Sequence, residues 1–206
     1  MQRAAERPAV APMIEDMLLV GAFLAIGLML GVGLGGRPQN LAQIRIRLWW
    51  LAPIAVALQA VPISAGDSGV GALRPVFAFL FSFVVLLVVS VANWRAPGFF
   101  LIIAGVGLNL LVIGLNQGMP VSAEAVRALG EDPERLADAP PGARHHLATD
   151  EDLLVSLGDV IPIGRPFDVA VSVGDLLMYA GAAVYLGVST TGRRRARAPA
   201  SPRDLT

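Results

Sequence analysis

The sequence contains no cysteine and no lysine, and only 16% of its 206 residues are charged. The absence of cysteine excludes disulfides, thiolate metal sites and a cysteine nucleophile. All sixteen basic residues are arginine, and sixteen acids balance them to a formal net charge of zero. Without a basic excess, the composition does not favour binding to nucleic acid. Soluble domains have about 25% charged residues, so the low value here is typical of a chain that exposes apolar surface to lipid.

Long apolar runs dominate the rest of the sequence, which is 55% hydrophobic with a mean hydropathy of +0.64. A helix that crosses a bilayer needs about 20 apolar residues. The sequence predicts five such spans, at about residues 17–36, 48–64, 75–94, 97–117 and 170–190. One run of this kind could be the core helix of a soluble protein, but five leave too little sequence for a polar surface.

We therefore predict an all-α membrane protein, a bundle of five transmembrane helices within residues 14–192. An N-terminal tail at 1–13, a long external loop at 118–169 and a disordered basic tail at 193–206 complete this division. The first run could instead be a secretory signal peptide. It lacks a small-x-small cleavage site and is longer than such segments usually are, so we interpret it as a retained helix.

The distribution of arginine predicts the orientation, because short cytoplasmic loops are enriched in Lys and Arg. Arginines follow the first, third and fifth spans: Arg37, Arg45, Arg47, Arg95, Arg193, Arg194, Arg195 and Arg197. The loop between the fourth and fifth spans holds ten acids and four arginines. This pattern predicts a multi-pass protein of the plasma membrane with its N-terminus outside and its C-terminus in the cytoplasm.

Arg37, Arg45 and Arg47 fall where anionic lipid headgroups would lie, and Trp49 and Trp50 follow them directly. Each arginine at such a surface attracts anionic lipid by about 1 kcal/mol. We expect the lipid bilayer, including anionic lipid, as a partner. The alternative is that these arginines act only as a topology signal beside an interfacial tryptophan belt.

Small and polar residues inside the apolar runs predict contacts between helices. Gly27, Gly31 and Gly35 recur at a spacing of four, which puts them on one helix face and allows close approach. Amides that face lipid are costly, so Asn109 and Gln59 should face the interior. Spacings of four and seven place three residues of the fourth run on one face: Gly105, Asn109 and Asn116.

Asp175 is the sharpest candidate for a functional group, because it lies about six residues inside the last apolar run. Ionisable groups within a span are expensive and usually face protein or water. Ser172 and Tyr179 share its helix face, which would make a stripe of hydroxyl, carboxylate and phenol. Alternatively, the helix starts at Leu176 and Asp175 is its cap or first-turn acid, favoured by the helix dipole.

The loop also carries local signals. Ser122 before AEAVRAL predicts a helix N-cap, and residues 138–142 (DAPPG) predict a turn or a linker. Acids at 150–152 could open another short helix, and residues 161–166 (IPIGRP) indicate extended or irregular chain.

Several segments together resemble a known family: GRPQNLAQIRIRLWW, NQGMPVS, HHLATDEDL, LGDVIP and SVGDLL. In these motifs the chain resembles an uncharacterised bacterial family of small multi-spanning membrane proteins, known as a domain of unknown function, over residues 14–190. Matching positions are Gly36, Arg37, Asn40, Asn116, Gly118, Met119, Pro120, Val121, His145 or His146, Gly158, Asp159, Pro162, Gly174 and Asp175. Gln117 departs from the pattern, which has a glycine or small residue there. The resemblance implies no reaction.

Three functions stay open at this point. The leading hypothesis is a non-enzymatic membrane protein in which the loop closes a polar pocket, lined by Asn109, Asn116, Asp159 and Asp175, around a lipid headgroup or small polar solute. The second is an intramembrane aspartic peptidase in which Asp159 and Asp175 share a proton. The third is a scaffold or subunit that acts through the glycine face of the first span.

We expect no cofactor and no metal, because adjacent histidines diverge and no spacing brings three or four ligands together. The candidate ligand-binding residues are Asn109, Asn116, Gln117, His145, His146, Asp159, Ser172, Asp175 and Tyr179.

Overall fold

A computed structural model describes residues 11–59, 74–137 and 143–192. The chain is mostly helical. The five long apolar runs contain helices α1 (Ala11–Gly33), α2 (Leu51–Gln59), α3 (Arg74–Ala92), α4 (Phe99–Asn116) and α7 (Val173–Thr190), and between α4 and α7 lie two short helices, α5 (Ala123–Ala128) and α6 (Glu134–Ala137). There are four three-residue strands: β1 (Met119–Val121), β2 (His145–Leu147), β3 (Ile161–Ile163) and β4 (Val169–Val171). Two short 3-10 helices, at Pro38–Gln43 and Val155–Leu157, complete the described elements.

Two of the described helices, α4 and α7, are long and apolar enough to cross a membrane, and the apolar stretches Met17–Gly33 and Val76–Ala92 are somewhat shorter. Large apolar side chains point outward from several helices, among them Met29, Leu30, Val56, Phe77, Phe81 and Phe100. Contiguous apolar surface of this kind is rare on soluble monomers.

The helix boundaries differ from the predicted spans where a strand, a cap or a turn lies next to the helix. The last helix begins at Val173 rather than 170, because Val169–Val171 forms β4 and Ser172 caps the helix. Trp49 and Trp50 lie in a turn before α2, so this helix begins at Leu51. The end of the predicted second span, at 60–64, lies outside the described residues, as do both terminal tails from 1–10 and from 193 onward.

Helix α7 lies between α1 and α4, and glycines bring the three backbones together. A Cβ on Gly105 of α4 would overlap the carbonyl oxygen of Gly174, and one on Gly27 of α1 would overlap the backbone of Ala183. The prediction that three glycines share one face of α1 is wrong for one of them. Gly35 lies beyond the end of α1 with φ +86 and has open space where a Cβ would be.

The described segments between the helices gather at two ends of the bundle. At one end, the Arg37 amide donates to the Thr190 carbonyl (2.8 Å), and the Asn93 side chain bonds both the amide and the carbonyl of Arg47 (2.9 Å each). We call residues 34–50, 93–98 and 191–192 the basic end. It carries four arginines and no acid.

At the other end, residues 117–137 and 143–172 fold into a structure that we call the cap. Strand β1 pairs with β2 in parallel, and β3 pairs with β4 antiparallel. Asp159 joins the two pairs to each other, because its amide donates to Pro120 (3.0 Å) and its carbonyl accepts from Ser122 (3.1 Å). The Arg144 guanidinium donates to the Gln59 carbonyl at the end of α2.

Local predictions within the cap have mixed outcomes. The N-cap at Ser122 is confirmed, because its hydroxyl accepts from the amides of Glu124 and Ala125 (3.2 and 3.3 Å). The extended chain at Ile161–Ile163 is confirmed as β3. The helix expected from 150–152 is wrong, because Asp152 bonds back to Thr149 and closes a turn. The predicted turn at 138–142 lies outside the described residues.

Candidate functional site

A buried hydrogen-bond network joins α4 to the start of α7. The Asn109 amide nitrogen donates to one oxygen of Asp175 (2.7 Å). The other oxygen accepts from the backbone amide of Ser172 (3.0 Å) and lies 2.7 Å from its hydroxyl. That hydroxyl also lies 3.0 Å from the Asn109 carbonyl oxygen and accepts from the Asp175 amide (3.0 Å). Asn109 and Ser172 are 1% and 0% exposed.

This network decides between the two interpretations of Asp175. Ser172 and Asp175 form a reciprocal capping box, in which each side chain bonds the backbone amide of the other. Asp175 is therefore the first-turn acid of α7 and lies at the N-terminal end of this helix rather than in its middle. Gly174 allows the Asn109 side chain to lie directly against α7, because a Cβ on any other residue at this position would overlap the amide oxygen.

The capped state of Asp175 limits its chemistry. Both carboxylate oxygens accept hydrogen bonds from Asn109 or Ser172, an arrangement that holds the helix start in place. Tyr179, one turn further along α7, packs its ring against Phe23 of α1 at 5.6 Å. Asp159 lies in the cap instead, with a carboxylate oxygen 3.6 Å from His145 Nε2. The two aspartates thus belong to different groups of contacts.

His145 connects the cap to the bundle. Its ring lies 5.9 Å from that of Phe79 on α3, and the nearby Asp159 is 6% exposed. Partial desolvation of the ring, with the nearby Arg144 and His146, lowers the pKa of His145 from its ordinary value. Because 48% of the side chain is accessible to water and a carboxylate lies close by, solvent and Asp159 oppose that shift. The lowered pKa keeps the imidazole of His145 neutral at neutral pH.

His146 and Asp152 form a second contact within the cap, at 2.9 Å between Nε2 and Oδ1. The other oxygen of Asp152 accepts from the amide and hydroxyl of Thr149 (2.8 and 3.0 Å). Burial raises the pKa of Asp152, but the hydrogen bonds from His146 and Thr149 outweigh it, so the pKa is lowered. Within residues 11–59, 74–137 and 143–192, no group of three or more His, Asp or Glu is placed to hold a metal.

Replacing Asp152 with Asn should loosen this turn. The pKa of Asp152 is lower in the folded chain than its ordinary value of 3.8. Its carboxylate therefore stabilises the fold above pH 3.8, and this stabilisation is lost as the pH falls through the pKa of the folded state. Hydrogen exchange at the Thr149 amide should therefore be roughly threefold faster in Asp152→Asn at pH 7, an effect typical of a weak surface pair. The difference between variant and wild type should shrink as the pH falls below 3.8 and vanish below the lowered pKa of Asp152 in the folded chain. A difference that stays constant with pH would contradict this role.

Asn116 and Gln117 end α4 and begin the cap. The Asn116 side chain accepts from the Leu153 amide (2.7 Å) and donates to the Leu153 carbonyl (2.9 Å). Gln117 has φ +55, in the left-handed region that glycine adopts most easily. This conformation explains why the resemblance has a glycine or small residue there, and it leaves Gln117 as a turn residue. The four residues of the predicted pocket are therefore divided among three groups of contacts.

The basic end contains an open cleft of about 100 Å³ that the sequence did not indicate. It lies between the α1–α2 connection, Pro97 and the last turns of α7, and its lining residues are Asn40, Gln43, Ile44, Arg45, Pro97, Tyr185, Val188, Ser189 and Gly192. Of the three predicted headgroup arginines, only Arg45 lines it. Arg37 and Arg47 use their backbones to attach the connection to α7 and to Asn93.

The fold is thus a mostly helical bundle with at least two helices fit to cross a membrane. The chain belongs to a family of unknown function (DUF5317), whose model matches residues 43–186. It is also similar to an uncharacterized protein of Thermotoga maritima, with 28% identity over 178 residues that cover 84% of this chain and 89% of the relative. No solved structure matches the chain. Membership in an uncharacterised family agrees with the resemblance noted from the motifs.

Proposed function

We propose that the chain is an integral plasma-membrane protein that crosses the bilayer five times, with its N-terminus outside and its C-terminus in the cytoplasm. The observation that carries this proposal is the arrangement of the surface. Helices with outward apolar side chains separate an arginine-bearing end without acids from a cap rich in acids. Arginine-rich connections favour the cytoplasmic side and the acidic cap would lie outside.

We further propose that the protein binds an anionic lipid headgroup at its basic end. The cap offers less support for a ligand, because Asn109 and Asp175 bond each other and Asn116 bonds Leu153. At the basic end, Arg45 lines an open cleft. Exposed tryptophans surround this end, with Trp49 at 66%, Trp50 at 52% and Trp94 at 59%, as in the aromatic belts that lie at headgroup level.

The geometry gives the other two hypotheses less support. A peptidase dyad needs two carboxyls that share a proton, whereas both oxygens of Asp175 bond Asn109 and Ser172. A scaffold that acts through the glycine face of α1 needs that face to be free. Gly27 and Gly31 instead pack against α7 inside the bundle.

The absence of cysteine makes the topology directly testable. Single-cysteine variants would be treated with a membrane-impermeant maleimide in right-side-out and in inverted membrane vesicles. Glu151→Cys, on an exposed turn of the cap, should be labelled only in right-side-out vesicles. Gln39→Cys, exposed at the basic end, should be labelled only in inverted ones.

Val112→Cys provides the control, because its side chain is fully buried in α4 and should stay unlabelled in both preparations. Labelling of Glu151→Cys and Gln39→Cys from the same side would rule out the five-span topology. Release of the wild-type protein from vesicles by alkaline carbonate would rule out membrane integration itself.

A further inference from the structure

The cleft at the basic end has the chemistry of a defined binding site rather than of a diffuse basic surface. We propose that it holds one phosphate-bearing anionic headgroup, with Arg45 as the charge partner and the amides of Asn40 and Gln43 beside it. The inference rests on the proposed membrane location. It goes further by assigning a single site with a fixed stoichiometry and a stated ligand class.

The lining of the cleft favours an anion. Its polar groups include a guanidinium and two amides, and the described residues that line it include no acid. Guanidinium matches phosphate geometry and binds it through paired hydrogen bonds. The remaining wall is formed partly by Ile44, Tyr185 and Val188, which suits the glycerol carbons next to a phosphate.

The position of Arg45 is fixed by its neighbours. Ile44 and Ile46, on either side of it, pack against the buried cluster of Ala96, Phe99 and Tyr185. The Asn40 amide nitrogen donates to the Thr190 carbonyl (2.6 Å), which holds the same connection to the end of α7. A site whose backbone is already held in place loses little entropy when it binds a ligand.

The size and location of the cleft favour the headgroup of a lipid over a large solute. A space of about 100 Å³ admits a small polar group and excludes a whole lipid. The acyl chains would therefore remain outside, along the apolar surface of the bundle. The exposed tryptophans of this end place the cleft at the depth where phosphates of a bilayer lie.

The experiment compares lipid retention by the purified full-length protein. Wild type, Arg45→Gln and Arg127→Gln would be reconstituted with phosphatidylglycerol or phosphatidylcholine and examined by native mass spectrometry. Wild type should keep one phosphatidylglycerol and at least tenfold less phosphatidylcholine. Arg45→Gln should retain at least tenfold less phosphatidylglycerol than wild type. Arg127→Gln removes the same charge from an exposed position in the cap and should bind like wild type.

A second arm identifies the source of the phosphate. Adding free glycerol 1-phosphate should leave the bound phosphatidylglycerol in place if the ligand is a lipid headgroup. Displacement of the lipid would indicate that a soluble phosphate ester occupies the site, with the same chemistry. Equal losses for Arg45→Gln and Arg127→Gln, or no preference between the lipids, would overturn the single-site inference. The vesicle labelling result would stand independently of that outcome.

Discussion

Gly105→Ala should lower the free energy of unfolding by about 2–3 kcal/mol, the upper part of the range for inserting a methyl group into a packed interface. The new Cβ would overlap the Gly174 carbonyl oxygen and contact Met178 at 2.8 Å. A carbonyl within a helix cannot rotate away, so α4 and α7 must separate and strain the Asn109–Asp175 bond between them. Reversible unfolding in mixed micelles would measure the loss.

Gly107→Ala is the matched control, because it lies two residues further along α4 and has nothing within 4 Å of its added Cβ. Alanine favours helix over glycine by about 1 kcal/mol, so this variant should be as stable as wild type or slightly more so. Equal destabilisation of both variants would mean that general helix effects, rather than the α4–α7 contact, control the stability.

Asp175→Ala should destabilise the protein by about 2–4 kcal/mol, because it combines the loss of a helix cap with a buried amide left without its acceptor. Asn109 is almost fully buried and donates to this carboxylate. Asp175→Asn keeps the shape and one acceptor oxygen, so its loss should be smaller. The same unfolding titration would measure both variants.

Asp150→Ala controls for removal of an aspartate, because Asp150 lies on an exposed turn of the cap and should change little. A double-mutant cycle with Asn109→Ala should give clearly non-additive losses, since the two side chains bond directly. Additive losses would show that Asp175 acts only as a helix cap and that its bond to Asn109 contributes nothing.

The apolar runs predicted the long helices well, because hydrophobicity over some 20 residues is a strong signal. Boundaries were less predictable. Ser172 and Asp175 form a capping box that is visible as SVGD, yet the apolar VAV before it extended the predicted span backward. The same run of letters can be strand or helix, and the antiparallel pairing of β4 with β3, which ends at Ile163 just before it in the chain, decided it.

The polar pocket was predicted from residue types alone. Asn109, Asn116 and Asp175 turned out to bond one another or the backbone, and the Asp159 carboxylate lies beside His145 instead. Asn109 and Asp175 are 66 residues apart, and only the close approach of α4 and α7 brings them together. The cleft at the basic end was missed for a related reason. Tyr185 and Ser189 give little signal in an apolar run, and they line the same cleft as Arg45 only because the α1–α2 connection folds back onto α7.

The central position of α7 has a consequence for biosynthesis. Helix α1 packs chiefly against α7, which is the last of the described helices to leave the ribosome. At usual elongation rates, roughly 10 to 30 s separate the synthesis of the two helices. During that interval the backbone groove of α1 at Gly27 and Gly31 has no native partner. Helix α1 must therefore wait without its native partner until α7 has been made, and the waiting helix is the point at which a chaperone or a wrong partner would intervene.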